Sequence, residues 1–380
     1  MKWLKVPNWR KIDYLSLFIM VVLLGVGSFC LRQQDILSGG QDGLYKKQLI
    51  GIAIGGVVMI ATLFVDYRFI CQMSPVLYAI ILLLLTYTIT FAGAINNVKR
   101  WIKIGSITIQ PSELTKIVLI LFIAFLCNLL KDRMDEFKTL FILGAAVAVP
   151  LVLILLEPHL SSSMVIVFIF VVMVFMAGIS YRLIGIVMAT MVPILLFIFI
   201  GVGVYNIKVP LINPYQVQRI MTYFSDDEEE DTSGKYQQNQ ALVAIATGGK
   251  NGKAIDGESN VRAYSAIYAN ESDFIFSAVG EEFGFVGSSI IIFLFFIMVV
   301  RCLSIAAHAP DFMGKLVCMG VSAMLLFQLF ANIGVATSIL PNTGLPLPFI
   351  SSGLTSLVTS MSALGIVINV GMHKTPNAII

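Results

Sequence analysis

Ten apolar runs, each roughly twenty residues long, follow one another along this chain and restrict its fold more than any other feature. An α-helix rises about 1.5 Å per residue, so about twenty apolar residues cross the roughly 30 Å hydrocarbon layer of a bilayer. The runs lie near 12–31, 48–65, 75–94, 112–130 and 139–156, then near 163–180, 183–204, 275–301, 314–339 and 348–372. Charged residues make up 12% of the chain, whereas soluble domains carry about 25%. The deficit is spread along the whole length, and no water-soluble core hides that much apolar surface. The expected fold class is all-α: a polytopic membrane bundle of about ten transmembrane helices, forming one integral domain over 1–380. The interval 205–274, between the seventh and eighth runs, is expected to be a long extracytoplasmic loop.

The remaining composition narrows the function by exclusion. A formal net charge of +3 points neither to nucleic acid nor to a strongly acidic partner. Cys30, Cys71, Cys127, Cys302 and Cys318 lie in or beside apolar runs, with no CxxC and no zinc-ligand spacing, so they read as small buried hydrophobes. The first apolar run is too long for a signal peptide and lacks a small-residue cleavage site, so it reads as a retained span. Lys2, Lys5, Arg10 and Lys11 precede it and place the N-terminus in the cytoplasm by the positive-inside rule. An even number of spans returns His373 and Lys374 to the same side and puts Lys131, Arg133 and Lys138 inside. Lys99, Arg100 and Lys103 then fall outside, against the rule: either the topology is wrong there or these cations are held outside for a purpose. The acidic run from Asp226 to Asp231 reads as a solvated tip, without the spaced ligands and glycine of a calcium loop.

Ionisable and broken-backbone segments at membrane depth are expensive and mark candidate sites. The first runs from Asn97 through Arg100, Trp101 and Lys103 to Gln110-Pro111-Ser112-Glu113-Leu114-Thr115-Lys116. Pro111 with Glu113 reads as a helix start, and Glu113 and Lys116, three apart, share a face and can pair. Arg100, Lys103 and Lys116 can equally present positive charge to an anionic ligand. The second is Asn270-Glu271-Ser272-Asp273-Phe274-Ile275-Phe276 with Gly280-Glu281-Glu282. Asp273 is expected in the first turn of the eighth span, beside phenylalanines whose desolvation raises its pKa and suits it to general-base work; a plain helix cap is the alternative. Glu281 and Glu282 are expected to bind backbone or cations within the bundle. The third is Leu340 to Gly353, where Pro341, Pro346, Pro348 and Gly344 forbid a regular helix. Its freed amides and the hydroxyls of Ser351 and Ser352 could bind a polar headgroup, or it is a tight loop between the last two spans. The glycines at 248, 249 and 252 with Lys253 fail as a phosphate loop, since Thr247 and Ala254 stand where the first glycine and the hydroxyl are needed. Gly51 and Gly55 form a GxxxG of the kind that packs helices.

Taken together and in this order, these stretches resemble the SEDS family (shape, elongation, division, sporulation), ten-span bacterial proteins that polymerise peptidoglycan strands. Its most specific parts are Arg100-Trp101-Ile102, Gln110 through Lys116, Asp273-Phe274-Ile275-Phe276 with Gly280-Glu281-Glu282, and Pro341-Asn342-Thr343-Gly344 through Gly353. The tail from Asn342 to Phe349 looks most like the RodA branch of Gram-positive bacteria. The resemblance implies glycosyl transfer from lipid II at the outer face of the cytoplasmic membrane, with Asp273 as the essential aspartate and Glu113 and Lys116 as the paired residues. It implies a class B penicillin-binding protein, a transpeptidase, as partner. Arg100, Lys103 and Lys116 would stabilise the lipid diphosphate, with Arg219 a weaker candidate and a divalent cation, Mg or Mn, a candidate cofactor. Two positions depart from the family pattern: Glu271-Ser272 precedes Asp273 where His-Thr or Gln-Thr is common, and His159 follows Pro158 where many members carry aspartate. A lipid-linked carrier transporter and a weakened scaffold for a transpeptidase remain the rival readings.

Overall fold

The computed structural model describes residues 9–39, 43–92, 100–105, 107–157, 159–180, 185, 233–256, 262–267, 271–342 and 344–373. The expected span at 183–204, Arg219 and the acidic run at 226–231 lie outside the described residues. The long helices are α1 (Tyr14–Leu37), α2 (Leu44–Phe64), α4 (Ser74–Phe91), α5 (Pro111–Leu129), α6 (Phe137–Leu156) and α7 (Leu160–Met176). A short α3 (Tyr67–Gln72) precedes α4; after α7 come α8 (Ser233–Thr247), α9 (Lys253–Asp256), α10 (Ile275–Ala307), α11 (Phe312–Ala336) and α12 (Leu354–Met372). Among the described residues eight helices are long and apolar enough to cross a membrane, and α7 is a shorter apolar helix. The bundle is all-α apart from a small antiparallel hairpin, β1 (Ile102–Ile104) and β2 (Ile107–Ile109), with Lys103 opposite Thr108.

Side-chain chemistry explains where these helices start and stop. Asp35, near the end of α1, accepts from the amides of Leu44 and Tyr45 at 2.9 and 2.8 Å, which satisfies the first turn of α2. At the other end of α2, Asn369 of α12 donates to the carbonyls of Thr62, Leu63 and Val65. The same side chain accepts from the Tyr67 amide, so one buried asparagine closes α2 and opens α3. Proline occupies the first turn of α4 and of α5, where its missing N–H breaks no helical bond.

Helices α11 and α12 form the centre and are buried along most of their length, while α4 and α6 lie outside. The GxxxG of α2 faces α12: a Cβ on Gly51 would stand 2.9 Å from Leu357 Cδ2, and one on Gly55 2.6 Å from Met361 Sδ. Gly365 answers from α12, where a Cβ would meet Thr62 Oγ1 at 2.4 Å. Small residues on both helices let the two backbones approach, which is how helices associate where water gives no hydrophobic drive.

Two expected boundaries change. The last span begins at Leu354 rather than near 348, because Pro346, Pro348 and Phe349 (φ 65°) hold the preceding chain out of the helix. The eighth span is broken at Gly284, with φ 62° and ψ −166°. The glycines that failed as a phosphate loop pack against that break. A Cβ on Gly252 would lie 2.2 Å from the Glu282 carbonyl oxygen, and one on Gly284 2.4 Å from the Gly252 nitrogen. The carbonyls of Gly249 and Lys250 accept from the Phe285 and Val286 amides, which the break would otherwise strand. Gly284→Ala combines a left-handed φ with a backbone clash and should destabilise the protein by about 1–3 kcal/mol. A thermal melt of purified protein in detergent measures it; an unchanged melting temperature would refute the account of the break.

Candidate active site

Three separate segments meet at one end of the bundle. The chain between α11 and α12 is clasped to the turn that precedes α10. Ser352 N donates to Glu271 O at 2.7 Å, and Ser351 Oγ donates to Ser272 O at 2.8 Å while accepting from Leu347 N. Asn332 of α11 donates to both Asp273 O and Leu345 O, at 3.0 and 2.7 Å. The same chain continues into α12, where Thr355 accepts from the Gln110 amide at 3.1 Å. Gln110 links the hairpin to α5, so the clasp carries the Asp273 turn to the Arg100–Lys116 segment.

Asp273 lies in the turn before α10, not in its first turn as expected, because the helix starts only at Ile275. It is half-buried. Phe274, the residue that opens α10, offers no side-chain cap. Ser272 Oγ donates to Asp273 Oδ1 at 2.9 Å. Its other oxygen, Oδ2, stands where a Cβ on Gly344 would come within 2.8 Å, and Gly344 has φ 70°. Only glycine combines that backbone with that proximity.

The expected cations separate by environment. Lys116 Nζ lies 2.7 Å from Glu113 Oε1, and both are buried inside α5, so the pairing alternative is the one realised. Lys103 is exposed on β1 and makes no ion pair among the described residues. Arg100 is half-buried and donates from Nε to the Glu157 carbonyl oxygen at 3.0 Å. Ser351 does not offer its proton to a headgroup, since it is donated to Ser272 O; Ser352, half-buried, is the hydroxyl nearer that role. Glu281 and Glu282 are fully buried and bind the end of the long loop, as expected. Glu281 accepts from the amides of Ala263 and Tyr264 and pairs with Lys253; Glu282 accepts from Arg262 Nε and Tyr264 Oη. The described part of that loop is thus a helical roof. Gln238 of α8 donates to Val335 O and Leu340 O at the end of α11.

His159 starts α7. Its Nδ1 lies 3.1 Å from Ser112 Oγ and 3.5 Å from Gln110 Nε2, tying the start of α7 to the start of α5. Burial, with Arg100 and Lys116 nearby, holds the imidazole well below its ordinary value and therefore neutral. Glu157, two residues before it, was not singled out from the sequence. Burial pushes its carboxyl up to about 8, opposed by Arg100. An acidic residue directly after an apolar run was the available signal, but it looks like any helix-end residue.

The starts of α5, α7, α10 and α12 therefore share one face, with Arg100 beside them. Helix N-terminal ends carry unsatisfied N–H groups and partial positive charge, which favours anions. Among the described residues no group of three His, Cys, Asp or Glu side chains converges.

Over residues 11–376 the chain matches the family model of the FtsW, RodA and SpoVE cell cycle proteins. The chain belongs to this family. Relatives include the peptidoglycan glycosyltransferase MrdB of Escherichia coli, 30% identical over 96% of this chain and 95% of that protein. The probable peptidoglycan glycosyltransferase FtsW of Geobacter metallireducens is 34% identical over 97% and 98% of the two chains. Stage V sporulation protein E of Bacillus subtilis is 31% identical over 95% and 97%. Identities this close across the three do not assign a branch. In fold, the chain resembles the rod shape determining protein RodA of Thermus thermophilus, with TM-score 0.69, 23% identity and coverage of 98% and 100%. It also resembles a chain of a peptidoglycan synthase complex, with TM-score 0.79, 24% identity and coverage of 97% and 100%.

Breaking the Glu113–Lys116 pair on one side strands a buried charge. Lys116→Met should destabilise the protein by about 3–5 kcal/mol, and Glu113→Gln added to it should recover most of that loss. Melting curves of the single and double variants decide this; a double variant as unstable as Lys116→Met would show that the pair is not the source of the effect.

Proposed function

We propose that this protein is a peptidoglycan glycosyltransferase that polymerises lipid II into glycan strands at the outer face of the bacterial cytoplasmic membrane. The observation that carries the reading is the Asp273 carboxylate: half-buried, held by the Ser272 hydroxyl and set against the Gly344 backbone on a face lined by helix N-terminal ends. In this mechanism Asp273 takes the proton from the acceptor sugar's 4-hydroxyl. The oxygen then attacks the anomeric carbon of the donor with inversion, and the bond to the lipid diphosphate breaks. That leaving group needs charge stabilisation more than protonation. Arg100 and the starts of α5, α7 and α12 supply it. A divalent cation, Mg or Mn, would add to that stabilisation if bound with the diphosphate. The names of the MrdB and FtsW relatives, a peptidoglycan glycosyltransferase and a probable one, support the reaction class.

Charge supports the orientation. The opposite end of the bundle carries Arg10, Lys11, Arg68, Lys131, Arg133, Arg301 and Lys315, with Arg301 paired to Asp13 and Arg68 to Asp311. By the positive-inside rule that end, with both termini, faces the cytoplasm. A transpeptidase of the class B penicillin-binding type is the proposed partner, in line with the likeness to a chain of a synthase complex that couples polymerization and crosslinking.

Purified protein given lipid II should form glycan strands, and Asp273→Ala should lower the rate by at least about 100-fold without changing the melting temperature. An Asp273→Ala protein as active as the wild type would overturn the base assignment. Wild-type protein that moves lipid II across vesicles but makes no strands, even with its transpeptidase, would overturn the reaction in favour of a carrier.

A further inference from the structure

Glu157 is the carboxylate that the mechanism above does not use. Its side chain is 1% exposed, and neither Oε1 nor Oε2 has a hydrogen-bond partner among the described residues. A buried ionised carboxylate without partners costs several kcal/mol, so such a group normally persists as the neutral acid. Its own backbone carbonyl is what Arg100 Nε grips, so the carboxyl and the guanidinium are fixed in one neighbourhood. Among the described residues, the other charged or titratable groups around this connector are His159 within it and Lys116 with Glu113 on α5. The first turns of α7 and α12, packed here too, contribute serines and Thr355, which do not titrate.

We propose that Glu157 is a positioning residue that acts through Arg100. As a neutral acid it does not compete for the guanidinium charge with an anionic, diphosphate-bearing lipid; its ionisation draws that charge inward. Ligand binding is thereby tied to one proton at this carboxyl. The proposal rests on the reading that a lipid-linked diphosphate occupies this face. Linkage fixes its sign. An anion bound at Arg100 disfavours the ionised carboxyl, so binding leaves the proton in place at low pH and takes one up at high pH. The raised titration of Glu157, near 8, puts the crossover between those regimes within reach.

Undecaprenyl diphosphate is the probe, because it carries the charged group and does not turn over. Its binding to the wild-type protein in detergent is measured by titration calorimetry at pH 6.5 and pH 9, each in two buffers of different ionisation enthalpy. Expected are little proton uptake at pH 6.5, uptake approaching one proton at pH 9, and about tenfold weaker affinity at pH 9. Glu157→Gln, a neutral isostere, should bind at pH 9 about as it does at pH 6.5, without proton uptake. Arg100→Gln should weaken binding at both pH values and flatten the difference. Binding that is independent of pH in the wild type, or proton uptake that persists in Glu157→Gln, would overturn the inference and leave the proposed reaction standing. Binding with the predicted proton linkage by a protein that makes no strands from lipid II would uphold the inference while sinking the reaction. Absence of binding at both pH values would sink the assigned ligand and the inference together.

Discussion

The structure depends on how it satisfies an irregular stretch of backbone inside a membrane protein. Between α11 and α12 the prolines at 341, 346 and 348 and the left-handed Gly344 and Phe349 rule out helical hydrogen bonding. Polar backbone groups left bare in hydrocarbon cost several kcal/mol each, so such a segment survives only where protein takes them up. Here Asn332, Ser351 and the turn at 271–273 do so, and Gly27 of α1 lies so close that a Cβ there would meet the Ile350 carbonyl oxygen at 2.5 Å. The same bonds fix Asp273. Its backbone carbonyl is held by Asn332 and its neighbours by the two serines, so the clasp that satisfies the break also orients the candidate base.

That clasp explains why cations stand on the face where the positive-inside rule would not place them. Helices starting there bring partial positive charge, and Arg100 adds a full one. Arg100 donates to a carbonyl oxygen at the end of α6, whereas Lys116 is held by a carboxylate within α5. The Lys116 pair holds α5, and Arg100 ties the chain before the hairpin to the α6–α7 connector.

Much of this was legible in the sequence because bilayer thickness translates directly into the length of an apolar run. The ends of α2, α4, α5 and α6 follow from it within a few residues, while α1 runs on to Leu37, six residues past the expected end near 31. The three segments of the candidate site were visible as charges and prolines where lipid-facing helices tolerate neither. What the sequence hid depends on partners far along the chain. The break at Gly284 makes sense only beside Gly252, and the hairpin at 102–109 is too short for its alternation to stand out. The early start assigned to the last span counted the apolar residues around Pro346 and Pro348 as helix, although their conformation is dictated by what clasps them. Arg219, expected in the site, lies outside the described residues.

Partners, rather than residue type, sort the acidic side chains at this end of the molecule. Glu281 and Glu282 each accept several hydrogen bonds from the loop, and a carboxylate so satisfied is an anchor. Glu113 is paired with Lys116 and shares its structural role. Asp273 is held through its backbone by Asn332 and through its carboxylate by Ser272, which orients it toward the Gly344 backbone. Glu157 is buried with no donor on either oxygen among the described residues, the environment that favours an uncharged acid. Five carboxyl groups with one intrinsic chemistry thus divide into structural anchors, a candidate base and a proposed proton holder. The hydrogen-bond donors that the fold aims at each of them make the division, and sequence spacing alone cannot reveal them.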